Sequence, residues 1–115
     1  MLTVEAFFTF ILVSTIFSVK YRKVSNTTDG MLSNLTVAIC LYSVVRMAGP
    51  LSGAGLNPTI GLATISAGAI IFSNHEESAG KIVSPIFLIP YILGPLLGGL
   101  MAAGFAKLAT HIFDR

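Results

Sequence analysis

Long apolar segments alternate with short polar ones along the chain, and few polar positions interrupt the apolar segments. Three of them, at about residues 2–19, 31–47 and 83–109, each approach the roughly 20 residues that a helix needs to cross a bilayer. A fourth, at about residues 57–72, is too short to cross comfortably but long enough to enter halfway and return. The pattern predicts an all-α membrane protein, in which residues 1–115 form one domain with three transmembrane helices and one re-entrant half-helix.

Turn-forming and charged residues mark the ends of these segments. The sequence Lys-Tyr-Arg-Lys at residues 20–23 ends the first span, and the polar residues 24–30 form a loop. Gly49 and Pro50 close the second span, because proline removes a helix donor and glycine is a poor helix former. Residues 73–78 are polar and acidic, and we expect them to form an aqueous loop after the short segment.

Composition supports a membrane protein and excludes several other classes. The chain is 54% hydrophobic and 10% charged, whereas a soluble domain carries about 25% charged residues. The net charge is only +2, and no basic run is interleaved with aromatic residues, so we expect no nucleic-acid partner. A single cysteine excludes an intrachain disulfide. With no catalytic triad, phosphate-binding loop or metal motif in the sequence, we expect a non-enzymatic protein without a cofactor.

The distribution of positive charge predicts an orientation. If the three long segments cross and the short one does not, the loop after the first span and the C-terminal tail share one side. That side carries five Lys or Arg residues against one or two on the other, so we expect it to face the cytoplasm or the mitochondrial matrix. The five are Lys20, Arg22, Lys23, Lys107 and Arg115, and the others are Lys81 and Arg46.

The sequence Asn57-Pro58-Thr59 has the chemistry of a helix start. An Asn side chain accepts hydrogen bonds from free backbone N–H groups, and Pro suits the first helical position. Here the start lies within apolar sequence between two predicted spans. The resulting helix would point its positive end at the centre of the bilayer, which matters only if something polar passes or binds there.

Glu5 is the one carboxyl group within a predicted span, and Thr9 lies one turn further on the same face. One interpretation is that Glu5 accepts N–H groups from the irregular backbone of residues 52–56; the other is that it lies in water at the membrane interface. Arg46, near the end of the second span, likewise either extends to the interface or lines a polar path.

Small residues indicate where helices and loops can approach closely. Gly53 and Gly55 lie in the irregular segment, where we expect them to support the loop. In the third span, Gly98 with Ala102 and Gly99 with Ala103 form two small-xxx-small pairs suited to tight helix contact. Ordinary membrane-helix packing accounts for these pairs as well as a channel does.

Three blocks of the sequence resemble the second half of an aquaporin, of the major intrinsic protein family. They are Glu-Ala-Phe-Phe-Thr-Phe-Ile-Leu-Val at residues 5–13, Gly-Pro-Leu-Ser-Gly-Ala-Gly-Leu-Asn-Pro at residues 49–58 and Tyr-Ile-Leu-Gly-Pro-Leu-Leu-Gly-Gly at residues 91–99. The resemblance implies that Asn57 turns its amide toward a single file of water and that Glu5 holds the Asn-Pro loop. It also implies that the dipole of the half-helix disfavours cations at the pore centre.

The sequence departs from the family pattern at positions that bear on selectivity. Thr59 replaces the usual Ala, and Ile60 stands where the family places its selectivity arginine. Val45 stands where water-selective members often place His, so Arg46 is the one nearby candidate for a charged filter residue. In addition, only one of the family's two inverted halves is present in the sequence.

Two hypotheses on function follow, and both place the chain in a lipid bilayer. The missing arginine and the missing half favour an accessory, structural subunit of a larger membrane assembly, with water permeation reduced or lost. A respiratory-chain complex, and hence the mitochondrial inner membrane, is one host we consider. The alternative is half of a split channel, which conducts water or small neutral solutes together with a separately encoded first half. A third hypothesis is that the sequence is a fragment of a longer aquaporin.

Overall fold

A computed structural model describes residues 1–21, 28–72 and 88–113. Within these ranges the chain forms four α-helices and no strand, which confirms the predicted all-α fold. The helices are α1 (Leu2–Lys20), α2 (Gly30–Ser52), α3 (Pro58–Phe72) and α4 (Leu88–Phe113). Most of the two predicted polar loops and the start of the third span, together with Arg22, Lys23, Lys81 and Arg115, lie outside the described residues.

Helices α1, α2 and α4 are long and apolar enough to cross a membrane. Their most apolar windows have mean hydropathies of 1.9, 1.5 and 1.7, and no more than 22% of each window is buried within the chain. Apolar side chains therefore cover most of the outer surface, which suits lipid rather than water. Helix α3 has 15 residues and is about 22 Å long, shorter than the roughly 30 Å hydrocarbon core of a bilayer.

Glycines bring α4 against α1 at close range. Helix α1 packs on both α4 and α2, whereas α3 packs on α4 alone among the described helices. A Cβ atom on Gly94 would lie 2.6 Å from the Cβ of Glu5, and one on Gly98 would lie 2.9 Å from the Cβ of Thr9. Further along, Phe105 meets Phe10 edge-to-face with ring centroids 6.1 Å apart. Helices α1 and α4 therefore run parallel, with their C-terminal ends together.

Only one of the two predicted small-xxx-small pairs makes this contact. Ala102 is fully buried on the same stripe as Gly98. In contrast, no neighbouring atom lies within 4 Å of a Cβ atom built on Gly99, and Ala103 is exposed. Gly99 and Ala103 lie on a different side of the helix, because residues one position apart are rotated by about 100°.

Helix α2 runs antiparallel to α1. Near one end Lys20 donates a hydrogen bond to the Oδ1 of Asn34. Toward the other end, an apolar cluster lies between the two helices and under the segment that follows α2; its buried members are Phe8, Val44, Ala48 and Leu56. Apolar contact with Leu56 thus joins that segment to the core.

The end of the second span differs from the prediction. The sequence predicts that this helix ends near Met47 and is closed by Gly49 and Pro50, but α2 continues through both residues to Ser52. A proline this close to the C-terminus removes only one intrahelical hydrogen bond, the one to the carbonyl of Arg46. Gly53 caps the helix directly after Ser52: its φ of 86° is left-handed, and its N–H donates to the carbonyl of Gly49.

Candidate functional site

The segment between α2 and α3 has an irregular backbone of unusual conformation. Besides Gly53, two residues with side chains have positive φ: Ala54 at 53° and Leu56 at 49°. A left-handed conformation costs roughly 1–2 kcal/mol for such a residue, and it persists only where the surroundings enforce it. Contacts from α1 and α4 supply that enforcement.

Glu5 holds this segment from α1. Its Oε1 accepts hydrogen bonds from the Ser52 hydroxyl at 2.5 Å and from the Gly55 N–H at 3.1 Å. Its Oε2 accepts from the Leu56 N–H at 2.7 Å. The side chain of Glu5 is completely buried within the chain, so it does not lie in water at the interface. The two oxygens of one carboxyl group therefore accept from backbone N–H groups that lie outside a helix and have no intrahelical acceptor.

Thr9 and Ser52 complete the hydrogen bonds of the segment. The Thr9 hydroxyl, one helical turn after Glu5, donates to the carbonyl of Leu56 at 3.3 Å. The Ser52 hydroxyl oxygen accepts from the N–H of Ala54 at 3.3 Å. Because Glu5 and Thr9 bind the N–H and the carbonyl of the same residue, Leu56, they fix the orientation of the backbone just before Asn57.

Tyr91 supports the segment from α4, a role that was not predicted from the sequence. Its hydroxyl donates to the carbonyl of Ser52. A Cβ on Gly53 would lie 3.0 Å from the Tyr91 hydroxyl, and one on Gly55 would lie 2.7 Å from the ring. A Cβ on Gly61, in the first turns of α3, would also lie 2.7 Å from the Tyr91 Cβ. Gly53 and Gly55 are thus required for the tyrosine to reach the backbone.

The sequence contained one indication of a role for Tyr91: it lies in an apolar span, where a buried Tyr hydroxyl usually needs a hydrogen-bond partner. Its partner could not be read from the sequence, since Ser52 lies 39 residues away.

Asn57 caps the N-terminus of α3. Its Oδ1 accepts from the N–H of Thr59 at 2.9 Å, and its carbonyl accepts from the N–H of Gly61 at 3.0 Å. Pro58 occupies the first helical position, where its missing N–H costs nothing. The side chain of Asn57 is exposed, and its Nδ2 group has no partner among the described residues. The amide therefore presents two N–H donors at the positive end of the helix.

The predicted filter residues do not come together. Ile60 is 54% exposed on α3, next to the exposed Thr59. Val45 and Arg46 are exposed on α2, and α2 does not pack against α3 in the described part of the chain. Arg46 and Ile60 therefore lie on helices that do not contact each other in the described part of the chain, and a filter role for Val45 and Arg46 stays a prediction. Within the described ranges, no three His, Cys, Asp or Glu side chains lie close enough to hold a metal ion.

The sequence of the chain matches the model of one known protein family. A sequence model of the family described as major intrinsic protein matches residues 1–106, which is most of the chain. No curated protein and no solved structure matches the chain. The matched range contains α1, α2, α3, the greater part of α4 and the irregular segment between α2 and α3, residues 53–57, which we call the held segment.

Proposed function

Because the chain belongs to the major intrinsic protein family, a family of membrane channels, we propose that it forms one half of the wall of a channel for water or small neutral solutes. A second half-fold would supply the other half of the wall, either as a separate chain or as a further segment. The half supplied here would correspond to the second of the two inverted halves of the family.

The observation that carries this proposal is how the Asn57 amide uses its hydrogen-bonding groups. Its oxygen is used to cap α3, whereas its two N–H donors are exposed and unpartnered within the described residues. At membrane depth these donors would cost free energy if nothing polar reached them, since unpaired polar groups in apolar surroundings are unfavourable. Donors held at a helix N-terminus are suited to the oxygen atom of a passing neutral molecule and unsuited to a cation.

The rigidity of the preceding segment also supports a channel. Glu5, Thr9 and Tyr91 come from two helices and hold the backbone that leads into Asn57. A selective pore requires polar groups at fixed positions, because misplaced donors bind or repel the permeating molecule. Such a network has less use in a helix that only fills space between other subunits.

Ile60 favours a second candidate function. An exposed isoleucine cannot donate a hydrogen bond or repel a cation at the position beside the Asn-Pro turn. This supports an accessory subunit that keeps the fold and has lost most of its permeation. An association with a respiratory-chain complex stays a prediction from the sequence, since no feature of the structure or of the family match bears on it.

Water flux into proteoliposomes tests the proposal, with the chain purified in mild detergent together with whatever partner it retains. We expect flux well above that of protein-free liposomes. Asn57→Asp keeps a capping oxygen and is favoured by the helix dipole, but it replaces the donors by a negative charge. We expect it to lower water flux at least about tenfold, the effect of losing about 1.4 kcal/mol of stabilisation along the path.

Asn34→Asp is the matched control, because it makes the same chemical change at an exposed position of α2. Its flux should equal that of the wild type. Wild-type flux no higher than that of empty liposomes, or equal flux for Asn57→Asp and the wild type, would exclude the pore. Mass spectrometry of the same preparation separates the two candidates: a complementary half-fold supports the channel, and a larger multi-subunit complex supports the accessory role.

A further inference from the structure

A groove with a volume of about 280 Å³ lies between the C-terminal parts of α1 and α4, far along both helices from the held segment. Its walls are made of two aromatic, two small and two polar residues, which are Phe17, Tyr21, Ala103, Ala106, Lys107 and Thr110. None of these residues takes part in the site around Asn57. The groove is therefore a separate feature that the proposed function does not use.

Small side chains on α4 leave room for the groove beside an aromatic contact between the two helices. Phe10 and Phe105 meet edge-to-face between α1 and α4. Beside this pair, on the side toward Phe17, α4 carries the small residues Ala103 and Ala106, which come two positions before and one position after Phe105. In addition, α1 ends at Lys20 while α4 continues to Phe113, so among the described residues no part of α1 lies beside the last turn of α4.

The charge in the groove has no protein counter-charge in the described part of the chain. Lys107 is exposed, and no acidic side chain lies within ion-pair distance of it there. The described carboxyl groups are used elsewhere: Glu5 holds the segment before α3, and Asp29 caps α2 through the N–H groups of Met31 and Leu32. An unpaired ammonium group beside an apolar groove is complementary to an amphipathic anion.

We propose that this groove binds an anionic phospholipid. Its phosphate would lie at Lys107 and the Tyr21 hydroxyl, and the upper part of one acyl chain would lie along Phe17, Ala103 and Ala106. Tyr and Lys are the residues that anchor helices at the level of lipid headgroups, and basic pockets between transmembrane helices suit anionic headgroups. A volume of about 280 Å³ is near the lower limit of small-molecule pockets, roughly 300 Å³, so most of the lipid would stay in the bilayer.

The predicted orientation, which rests mainly on charges other than Lys107, agrees with this occupant. Lys20 and Lys107 belong to the positive side of the chain, which is expected to face the cytoplasm or matrix. The cytoplasmic leaflet is the one enriched in anionic lipids. The groove would thus open toward the leaflet that contains its ligand.

Native mass spectrometry of the full chain with added lipid tests the proposal. The probes are dioleoylphosphatidylglycerol, which is anionic, and dioleoylphosphatidylcholine, which is not. We expect the wild type to retain one molecule of the phosphatidylglycerol about fivefold more strongly than the phosphatidylcholine, the effect of one lysine near a charged headgroup. Lys107→Gln should abolish this preference, and Lys107→Arg should restore it.

Arg46→Gln is the matched control, because it removes one exposed positive charge near the opposite end of the helices and should leave the preference unchanged. Ala103→Leu fills the groove and should release the lipid while Lys107 is still present. Equal retention of the two lipids by the wild type, or an unchanged preference in Lys107→Gln, would refute the proposal. The proposal would also be refuted if the groove held a protein chain in place of lipid and Ala103→Leu displaced that chain. The groove would then be a protein interface.

Discussion

The Oε2 of Glu5 lies 2.7 Å from the amide nitrogen of Leu56, a residue 51 positions further along the chain. This hydrogen bond joins the first turns of α1 to the last residue before Asn57. Together with the bonds from Ser52 and Gly55 to Oε1, it makes one buried carboxyl group the acceptor for three donors. The strained backbone before α3 therefore depends on a side chain from another helix.

Replacing Glu5 by Gln should destabilise the protein strongly. Gln has nearly the same shape, but its NH₂ group would face backbone donors and leave at least one buried N–H without an acceptor. We expect the free energy of unfolding to fall by about 2–4 kcal/mol, because bonds to a charged group and unsatisfied buried donors each count for about 1–3 kcal/mol. Unfolding in mixed detergent–dodecyl sulfate micelles measures the change. A Gln variant as stable as the wild type would show that the carboxyl group does not hold the segment.

Two substitutions of Tyr91 should separate its hydroxyl from its ring. Tyr91→Phe loses only the bond to the Ser52 carbonyl and should lower stability by about 1 kcal/mol. Tyr91→Ala also opens a void beside Gly53, Gly55 and Gly61 and should cost about 3–5 kcal/mol. Hydrogen exchange at the Gly55 and Leu56 amides should accelerate in both variants, more in the second. Equal effects of the two substitutions would argue against packing by the ring.

Adjacent glycines of α4 should respond oppositely to alanine. Gly98→Ala would force α4 away from α1, since its Cβ would overlap the region of Thr9 and Ala6, and we expect a loss of about 1–3 kcal/mol. Gly99→Ala has free space and should be neutral or stabilising by up to about 1 kcal/mol, because Ala favours the helix. The same unfolding assay compares them. Similar losses in both variants would contradict the close approach of α1 and α4 at Gly98.

Ile60→Arg should change the selectivity of the proposed channel and leave the fold intact. Ile60 is 54% exposed, so a longer side chain can be accommodated on α3. Its guanidinium group would narrow the path while offering donors to water, and we expect the ratio of urea to water permeability to fall about tenfold, or by about 1.4 kcal/mol. Ile60→Leu keeps the size and apolar character and should leave the ratio unchanged. An unaltered ratio in Ile60→Arg would mean that Ile60 does not line the path.

The sequence predicts the helices better than it predicts their ends and contacts. Apolar length alone distinguishes the three long helices from the short one, because hydropathy follows from composition. The cap formed by Asn57 is also a local event, since its acceptor and donor are two residues apart. In contrast, the sequence does not show that α2 continues through Pro50 to Ser52, a residue that Glu5 and Tyr91 bind from two other helices.

Contacts between distant residues were harder to infer. A buried carboxyl group must find donors, so the interpretation that Glu5 serves residues 52–56 could be stated from the sequence. Tyr91 gave a weaker signal, because a tyrosine hydroxyl needs a partner only where it is buried and can otherwise hydrogen-bond to water. Likewise, the rotation of α4 about its axis decides whether the Gly98 pair or the Gly99 pair faces α1. The sequence does not reveal this rotation, because small residues recur on both sides of the helix.

The dependence of the segment on Glu5 also imposes an order in time. Synthesis proceeds at about 5–20 residues per second, so the 51 residues from Glu5 to Leu56 take roughly 3–10 s. During that interval α1 holds a carboxyl group whose final donors do not yet exist, and Tyr91 arrives later still. Until then, water or other polar groups near the insertion machinery must solvate Glu5. The segment before α3 can therefore reach its final conformation only after α1, α2 and the start of α4 have all been synthesised.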